Sequence, residues 1–250
     1  MNIHEALEPP LDVEGLLEAV PELRLARGLE QSPYHHLDTL EHILETVRGI
    51  ERELEEERLG ARVESDRVAG LRLVGLLHDI AKPATHGEVG GRVLFVAHDA
   101  LGAALVHGVC RRLGLSAGLT DLAATLTVLH LKIGFMEHPR SEYPAPRLAR
   151  AAGPFGEELA VLCWADRLAA RGPRLKEEHL ERHRDLCLQF LRTSRGLDPH
   201  SEPNYEGVAK RLGLPPDDAA DVGYAASRLR ILTSRGLGED EALPLLCGSL

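Results

Sequence analysis

The sequence is short of aromatic residues. Phe, Tyr and Trp together make up 4% of its 250 positions, with a single tryptophan. That scarcity argues against a platform on which nucleic-acid bases would stack. Cysteine is scarce as well. Cys110, Cys163, Cys187 and Cys247 are far apart in the chain and form no CxxC pair. A disulfide scaffold or a zinc knuckle is therefore not expected, and a reducing compartment fits better. No run of about 20 uncharged apolar residues occurs, so no membrane span is expected. The N-terminus has no basic stretch followed by an apolar core, so the expectation is a cytoplasmic chain without a secretory signal. An excess of positive charge is also missing. The 29 Lys and Arg face 39 Asp and Glu, for a formal net charge of -10. Nonspecific duplex binding needs a basic footprint, so tight duplex binding is not expected, although a small basic pocket for one phosphate remains compatible.

What is present is ordinary in bulk. Hydrophobic residues make up 44% and charged residues 27%, enough for one large core and a small appendage. Histidine is the unusual count, at 13.

The pattern reads as all-α, because apolar residues recur at spacings of three and four and no alternating stretch persists. A helix is expected over residues 12–29, interrupted at Pro21. Asp38 can cap a helix over residues 39–48, with Glu41 at capping-box spacing and Leu40, Ile43, Leu44 and Val47 as its stripe. Residues 51–67 read as an outward extension or a solvated connector. A core helix from Val68 reaches His78 and Asp79, and a loop is expected from Pro83 to about Phe95 through Gly87, Gly90 and Gly91. Further helices are expected over 98–113, with Leu101, Leu105, Val109 and Leu113 inward, and over 118–132, 156–170 and 175–193. Four prolines make 134–157 read as loop. The division predicted is an N-terminal extension (1–30), a main helical domain (31–195), a linker (196–204) and a small helical tail (205–250). Within the tail, two short helices near 205–212 and 217–235 precede a short end segment.

Several histidines lie inside apolar helical runs instead of polar loops. His42 stands between Leu40 and Leu44, His78 and Asp79 end the run from Val74, His98 opens a helix, His130 follows Leu129, and Asp166 follows Trp164 and Ala165. A lone histidine on an apolar face is usually a satisfied core residue. Six such groups on five segments point instead to a bound cation, which offsets the cost of burying a carboxylate.

These residues carry a resemblance. His42, the pair His78-Asp79, and Asp166 resemble the H…HD…D signature of the HD superfamily of metal-dependent phosphohydrolases, and His98 and His130 match the two further histidines of its two-metal members. The run Leu76-Leu77-His78-Asp79-Ile80-Ala81-Lys82-Pro83 is its most specific stretch. Tyr34–His42, Lys82–Thr85, Phe95–Ala103 and Ala165–Gly172 are similar to the HD domain attached to bacterial tRNA nucleotidyltransferases. The tail, at Gly213-Leu214-Pro215-Pro216 and Glu241-Ala242-Leu243, is similar more loosely. Ala81 stands where many relatives carry Gly. The 30 residues ahead of the domain are too few for a nucleotidyltransferase head, so nucleotide addition is not expected.

The resemblance implies an HD-type helical bundle and hydrolysis of a nucleotide or RNA-end phosphoester, with a 2′,3′-cyclic phosphodiester as the first candidate. It implies one or two divalent transition ions. Donors this rich in nitrogen suit Mn, Fe, Co, Ni or Zn, and disfavour Mg. In one assignment His42, His78 and Asp166 hold a first ion, Asp79 bridges, and His98 and His130 hold a second. In the other, one ion sits on His42, His78, Asp79 and Asp166, leaving His98 and His130 for phosphate binding or proton transfer. Asp79, His98, His130 and Lys82 are the catalytic candidates. Lys82, Arg167 and Arg171 are the substrate candidates, and the spacing of four between the two arginines places them on one helix face. His107 should point away from the site. His35, His36, Lys132 and His138 are candidates for its mouth. The alternatives are an HD module that binds or senses nucleotide without turnover, and a metal-free helical scaffold.

Overall fold

The computed structural model describes residues 3–197, 203–215 and 217–246. Thirteen α-helices, three short 3-10 helices and one hairpin make it up among the described residues. In chain order the helices are α1 (Ile3–Ala6), α2 (Val13–Ala19), α3 (Thr39–Glu56), α4 (Val68–Leu77), α5 (Lys82–Thr85), α6 (His98–Arg112), α7 (Ala117–Leu129), α8 (Ala145–Ala152), α9 (Gly156–Ala170), α10 (Glu177–Arg195), α11 (Tyr205–Leu212), α12 (Ala219–Ser234) and α13 (Glu239–Leu246). The fold is a helical bundle with a C-terminal helical appendage, as the apolar spacing leads one to expect.

The start of α3 follows from its cap. The Asp38 carboxylate accepts from the amide of Glu41 at 2.8 Å, satisfying a donor the helix cannot. Leu40, Ile43, Leu44, Val47 and Ile50 then form one buried face. The helix stops where Glu57 turns left-handed at φ 51°, so of the charged segment 51–67 the first part is helix and the rest connector.

Two glycines bring the helices that bear the key residues together. A Cβ at Gly75 of α4 would lie 2.6 Å from the Ile50 side chain of α3. At Gly49 of α3 it would lie 3.2 Å from the Ala165 Cβ of α9. Glycine lets α3 run this close to both neighbours without a shift in the side chains it meets, and α3, α4 and α9 are the helices of His42, His78 and Asp166. Most of the core is one apolar cluster running from Ile3 to Ile231, and a smaller cluster of Val208, Ala225, Ala226, Leu229, Ala242 and Leu246 lies in the tail.

Several expectations need correction. The loop expected from Pro83 to Phe95 is the single turn α5 followed by a hairpin, β1 (His86–Val89) and β2 (Arg92–Phe95), in which Val89 pairs Arg92. Gly90 and Gly91 adopt φ 58° and 71°, the positive values a two-residue hairpin turn demands. The loop expected over 134–157 contains α8, whose Pro144 and Pro146 sit at the N-terminal end, where proline is tolerated. The end segment of the tail contains α13.

In α6 the inward face is Gly102, Ala103, Val106, Val109 and Cys110. Leu101 is 39% exposed, because small residues, not leucines, face α7 there. A Cβ at Gly102 would lie 2.9 Å from the Thr127 methyl. Ala81 has φ -88°, a right-handed conformation that needs no glycine. Part of the expected linker, residues 198–202, as well as Pro216 and Cys247, lie outside the described residues.

Candidate metal centre

Five segments deliver the six candidate ligands. α3 supplies His42 one turn from its cap. His78 caps the C-terminal end of α4, with Asp79 following. His98 is the first residue of α6, His130 caps α7, and Asp166 lies in α9. Helix ends suit this purpose, since a side chain there reaches past the packed faces into the space between helices.

The structure brings all six together. His42, His78, Asp79 and Asp166 form one group and Asp79, His98 and His130 a second, with the donor atoms of each within 4.8 Å of one another. The Asp79 carboxylate belongs to both. Its Oδ2 lies 3.4 Å from His42 Nε2 and 3.2 Å from His78 Nε2. Its Oδ1 lies 3.3 Å from His98 Nε2 and 3.6 Å from His130 Nε2. On the first side, Asp166 Oδ1 is 2.9 Å from His42 Nε2.

Three imidazoles are held by backbone carbonyls. The Nδ1 of His78, His98 and His130 lies 2.8, 2.7 and 2.7 Å from the oxygens of Gly75, Phe95 and Thr127, each three residues earlier. A carbonyl only accepts, so each Nδ1 carries the proton and each Nε2 of a neutral ring presents a lone pair to the centre. This is the arrangement that orients histidine ligands.

The centre fits a metal on its own structure. The Nε2 atoms of His42, His78 and His98 and the Oδ1 of Asp79 are buried without an aligned hydrogen bond. Four unsatisfied donor atoms converging on one point would be costly without a cation, and imidazole with carboxylate suits one or two divalent transition ions. Burial works to raise the Asp79 pKa, but nearby positive charge, that of Lys82 first, holds it well below the usual carboxylate value. Burial likewise works against the charge of Asp166, and His42 outweighs it to hold this carboxyl low. Both carboxylates are therefore ionised and ready to ligate. In His42, burial lowers the pKa and is outweighed by the two carboxylates, for a net rise.

Other predicted residues fall in different places. Lys82 is buried, with its ammonium 2.6 Å from Asp79 Oδ2 and 2.6 Å from Gln31 Oε1, so it faces the carboxylate. Arg167 and Arg171 do not share a helix face. Arg171 leaves α9 in the left-handed region at φ 31°, and the two line different cavities. His35 packs edge-on against His42 at 4.9 Å between centroids, and burial, then Lys82 and His42, push its pKa down to about 3. His36 Nδ1 meets the Ala170 carbonyl at 2.8 Å, and Lys132 pairs with Asp99 at 2.6 Å. His138 lines a cavity with Lys132 and Phe135. His107 points away, bonded to Asp221 at 2.6 Å and stacked on Tyr224.

Sequence reasoning missed Gln31, whose side-chain oxygen accepts from the Lys82 ammonium. It missed Cys163, whose thiol lies 2.8 Å from the His130 carbonyl and steadies that ligand. A cysteine inside a helical apolar run gives no sequence signal for such a role.

The comparisons with known proteins agree with this geometry. A model of the HD domain matches residues 39–171. An A-adding tRNA nucleotidyltransferase of Deinococcus radiodurans is 35% identical over 170 residues, 67% of this chain and 36% of that protein. A CC-adding tRNA nucleotidyltransferase of Thermus thermophilus is 31% identical over 166 residues, 65% of this chain and 35% of that protein. The chain thus spans about a third of the length of the curated relatives it matches. No helix among the described residues is long and apolar enough to cross a membrane. With the matched segment carrying all six converging donors, the chain belongs to the HD-domain family and has the metal-coordinating site of its phosphohydrolases.

Proposed function

We propose that the protein hydrolyses a phosphoester of a nucleotide or of an RNA end, with 2′,3′-cyclic phosphodiesters as the first class to examine. The observation that carries this reading is the split of the Asp79 carboxylate between two sets of imidazoles. His42, His78 and Asp166 would hold one ion, His98 and His130 a second, and Asp79 both. Bound divalent ions activate water near neutral pH and neutralise charge on phosphoryl oxygens.

The chain's own residues set the conditions for this chemistry. The carbonyls of Gly75, Phe95 and Thr127 fix three rings with Nε2 inward, so no rotation is needed on binding. Lys82 offsets the charge of Asp79 and holds its oxygen in place. Asp166 and His98 are the more exposed members, with 19% and 10% of their side chains accessible, so substrate enters on their side. The RNA-end preference draws on the relatives, which are tRNA nucleotidyltransferases by name.

The test combines metal analysis with turnover. Chelator-free protein is expected to carry one to two equivalents of transition metal. It is expected to cleave bis(p-nitrophenyl) phosphate or a 2′,3′-cyclic nucleotide with at least one of Mn, Co, Ni, Zn or Mg. Asp79→Ala should lower turnover on the order of a hundredfold or more, since it removes the ligand shared by both sets. No turnover across that panel, with nucleotide binding kept, would assign the chain to a binding module instead.

A further inference from the structure

A cavity of about 340 Å³ lies between α9, α10 and the segment around Tyr34, lined among others by Tyr34, Gly134, Arg167, His179, Arg182 and His183. Three of its lining residues are chain neighbours of residues at or beside the metal centre. Arg167 directly follows Asp166 on α9, Gly134 lies just past His130, and Tyr34 precedes His35, whose ring packs against His42 at 4.9 Å. The volume is in the range of small-ligand pockets.

The charge of this cavity departs from that of the molecule. Acidic residues outnumber basic ones by ten in the chain, yet no Asp or Glu lines it. Arg167 and Arg182 make no hydrogen bond or ion pair among the described residues, and Arg182 is exposed on α10. The cavity around Arg171 shows the contrast. There Arg48, Arg52 and Arg58 face Glu41, Glu45, Glu53 and Glu56, and Glu45 already bonds both Arg48 and Arg52. An anion entering that cavity would have to displace carboxylates.

His183 completes the wall without adding charge. It is buried, with Nε2 3.2 Å from the Cys163 carbonyl, and burial followed by Arg167 pushes its pKa down to about 4. The positive charge is thus that of two guanidinium groups, whose planar donor forks match phosphate oxygens.

We propose that this cavity is a second phosphate site, holding a phosphoryl group of the substrate adjacent to the one at the metal centre. The inference rests on the phosphohydrolase reading and narrows it, from any phosphoester to one that carries a second phosphate. That group has two sources, the second phosphate of a small nucleotide or the neighbouring phosphodiester of an RNA end.

The experiment compares adenosine 3′,5′-bisphosphate with adenosine 3′-monophosphate on the metal-loaded full chain, by calorimetry, or as KM where the ligand is turned over. The bisphosphate should bind about tenfold tighter or more, the scale of a charge-assisted pair. Arg167→Ala and Arg182→Ala should each remove most of that preference, and Arg182→Lys should keep part of it. Arg184→Ala, which removes the same charge two residues along α10, should leave the preference intact. A 3′-phosphorylated oligoribonucleotide forms the second arm. A preference shared by the oligonucleotide and lost with Arg182 identifies an RNA end, and one confined to the bisphosphate identifies a small nucleotide. No preference for the second phosphate, or one that survives both arginine substitutions, overturns the proposal. Failure of the hydrolase reading shows separately, as no cleavage of bis(p-nitrophenyl) phosphate with any metal while the arginine-dependent preference persists.

Discussion

Asp121 and Asp79 are the most deeply buried aspartates among the described residues, and they are surrounded in opposite ways. Asp121 of α7 is fully buried. Its carboxylate pairs with the Arg230 guanidinium of α12, and accepts from the Thr125 hydroxyl at 3.1 Å and from the Tyr205 hydroxyl at 3.1 Å. Arg230 also bonds Thr125, which bonds Ser227, so the polar groups close on one another. Asp79 is 1% exposed and has a single cationic partner, Lys82. Its other neighbours are four imidazoles, three of which turn lone pairs toward it. The first arrangement satisfies itself and ties the appendage to the bundle. The second is complete only with a cation from outside. Burial alone separates neither; what distinguishes a site from a clamp is whether its polar atoms are left unpaired.

The largest effect should come from exchanging the two roles by mutation. Asp121→Ala leaves the Arg230 charge partly buried without its partner and is expected to cost about 3–5 kcal/mol of stability. It should leave metal per folded chain unchanged. Asp79→Asn should do the reverse in one decisive respect. The native protein should gain about 3 kcal/mol on metal at a hundredfold excess over Kd, a gain that Asp121→Ala keeps and Asp79→Asn loses. Denaturant unfolding with metal and with chelator measures both. An Asp121→Ala protein that no longer responds to metal would dissolve the distinction.

A smaller effect concerns His183, a third buried polar group. Its pKa is about 4 when folded against 6.5 ordinarily, so the native state binds fewer protons than the unfolded one between those values. Stability is therefore whole above pH 6.5 and falls as the pH drops toward 4, by about 1.4 kcal/mol per pH unit. Between pH 7 and pH 5 this group accounts for about 2 kcal/mol of loss. His183→Gln, which keeps a donor for the Cys163 carbonyl, should flatten that part of the urea midpoint's pH profile. An unchanged profile would mean His183 is solvated and not part of the packed wall.

The same contrast explains what the sequence could disclose. The HD pair was legible because polar residues stood where a helical period demands apolar ones, a signal that survives without coordinates. α9 was legible because Leu159, Leu162 and Cys163 carry a helical spacing between Gly156 and Ala170. The hairpin was not, since its strands are four residues long and largely exposed, and they bury too little to show a period of two. The inward face of α6 was misread because leucines outweigh glycine and alanine in any apolar pattern, although close helix contact favours the small residues. Arg171 was misplaced because spacing predicts a face only while the helix lasts. Asp121 gave no signal at all, because its partners Arg230 and Tyr205 lie 109 and 84 residues away.

The smallest expected effect sharpens the comparison with a third aspartate. Asp38 is neither clamp nor ligand. One oxygen accepts from the Glu41 amide at 2.8 Å and the other from the Gly28 amide at 2.8 Å, so it caps α3 and ties it to the preceding chain. Both partners are backbone donors, and the group is partly open to water, so no charge is stranded when it is removed. Asp38→Ala should cost about 1 kcal/mol, the usual loss of an N-cap. His42 begins one turn into the same helix, which makes the substitution informative beyond its size. If α3 is held mainly by packing at Gly49 and Gly75, metal stoichiometry and the metal-dependent gain in stability stay as in the native protein. If metal affinity falls more than about tenfold, the position of His42 depends on the cap, and the centre is organised by the helix start and not by the core beneath it.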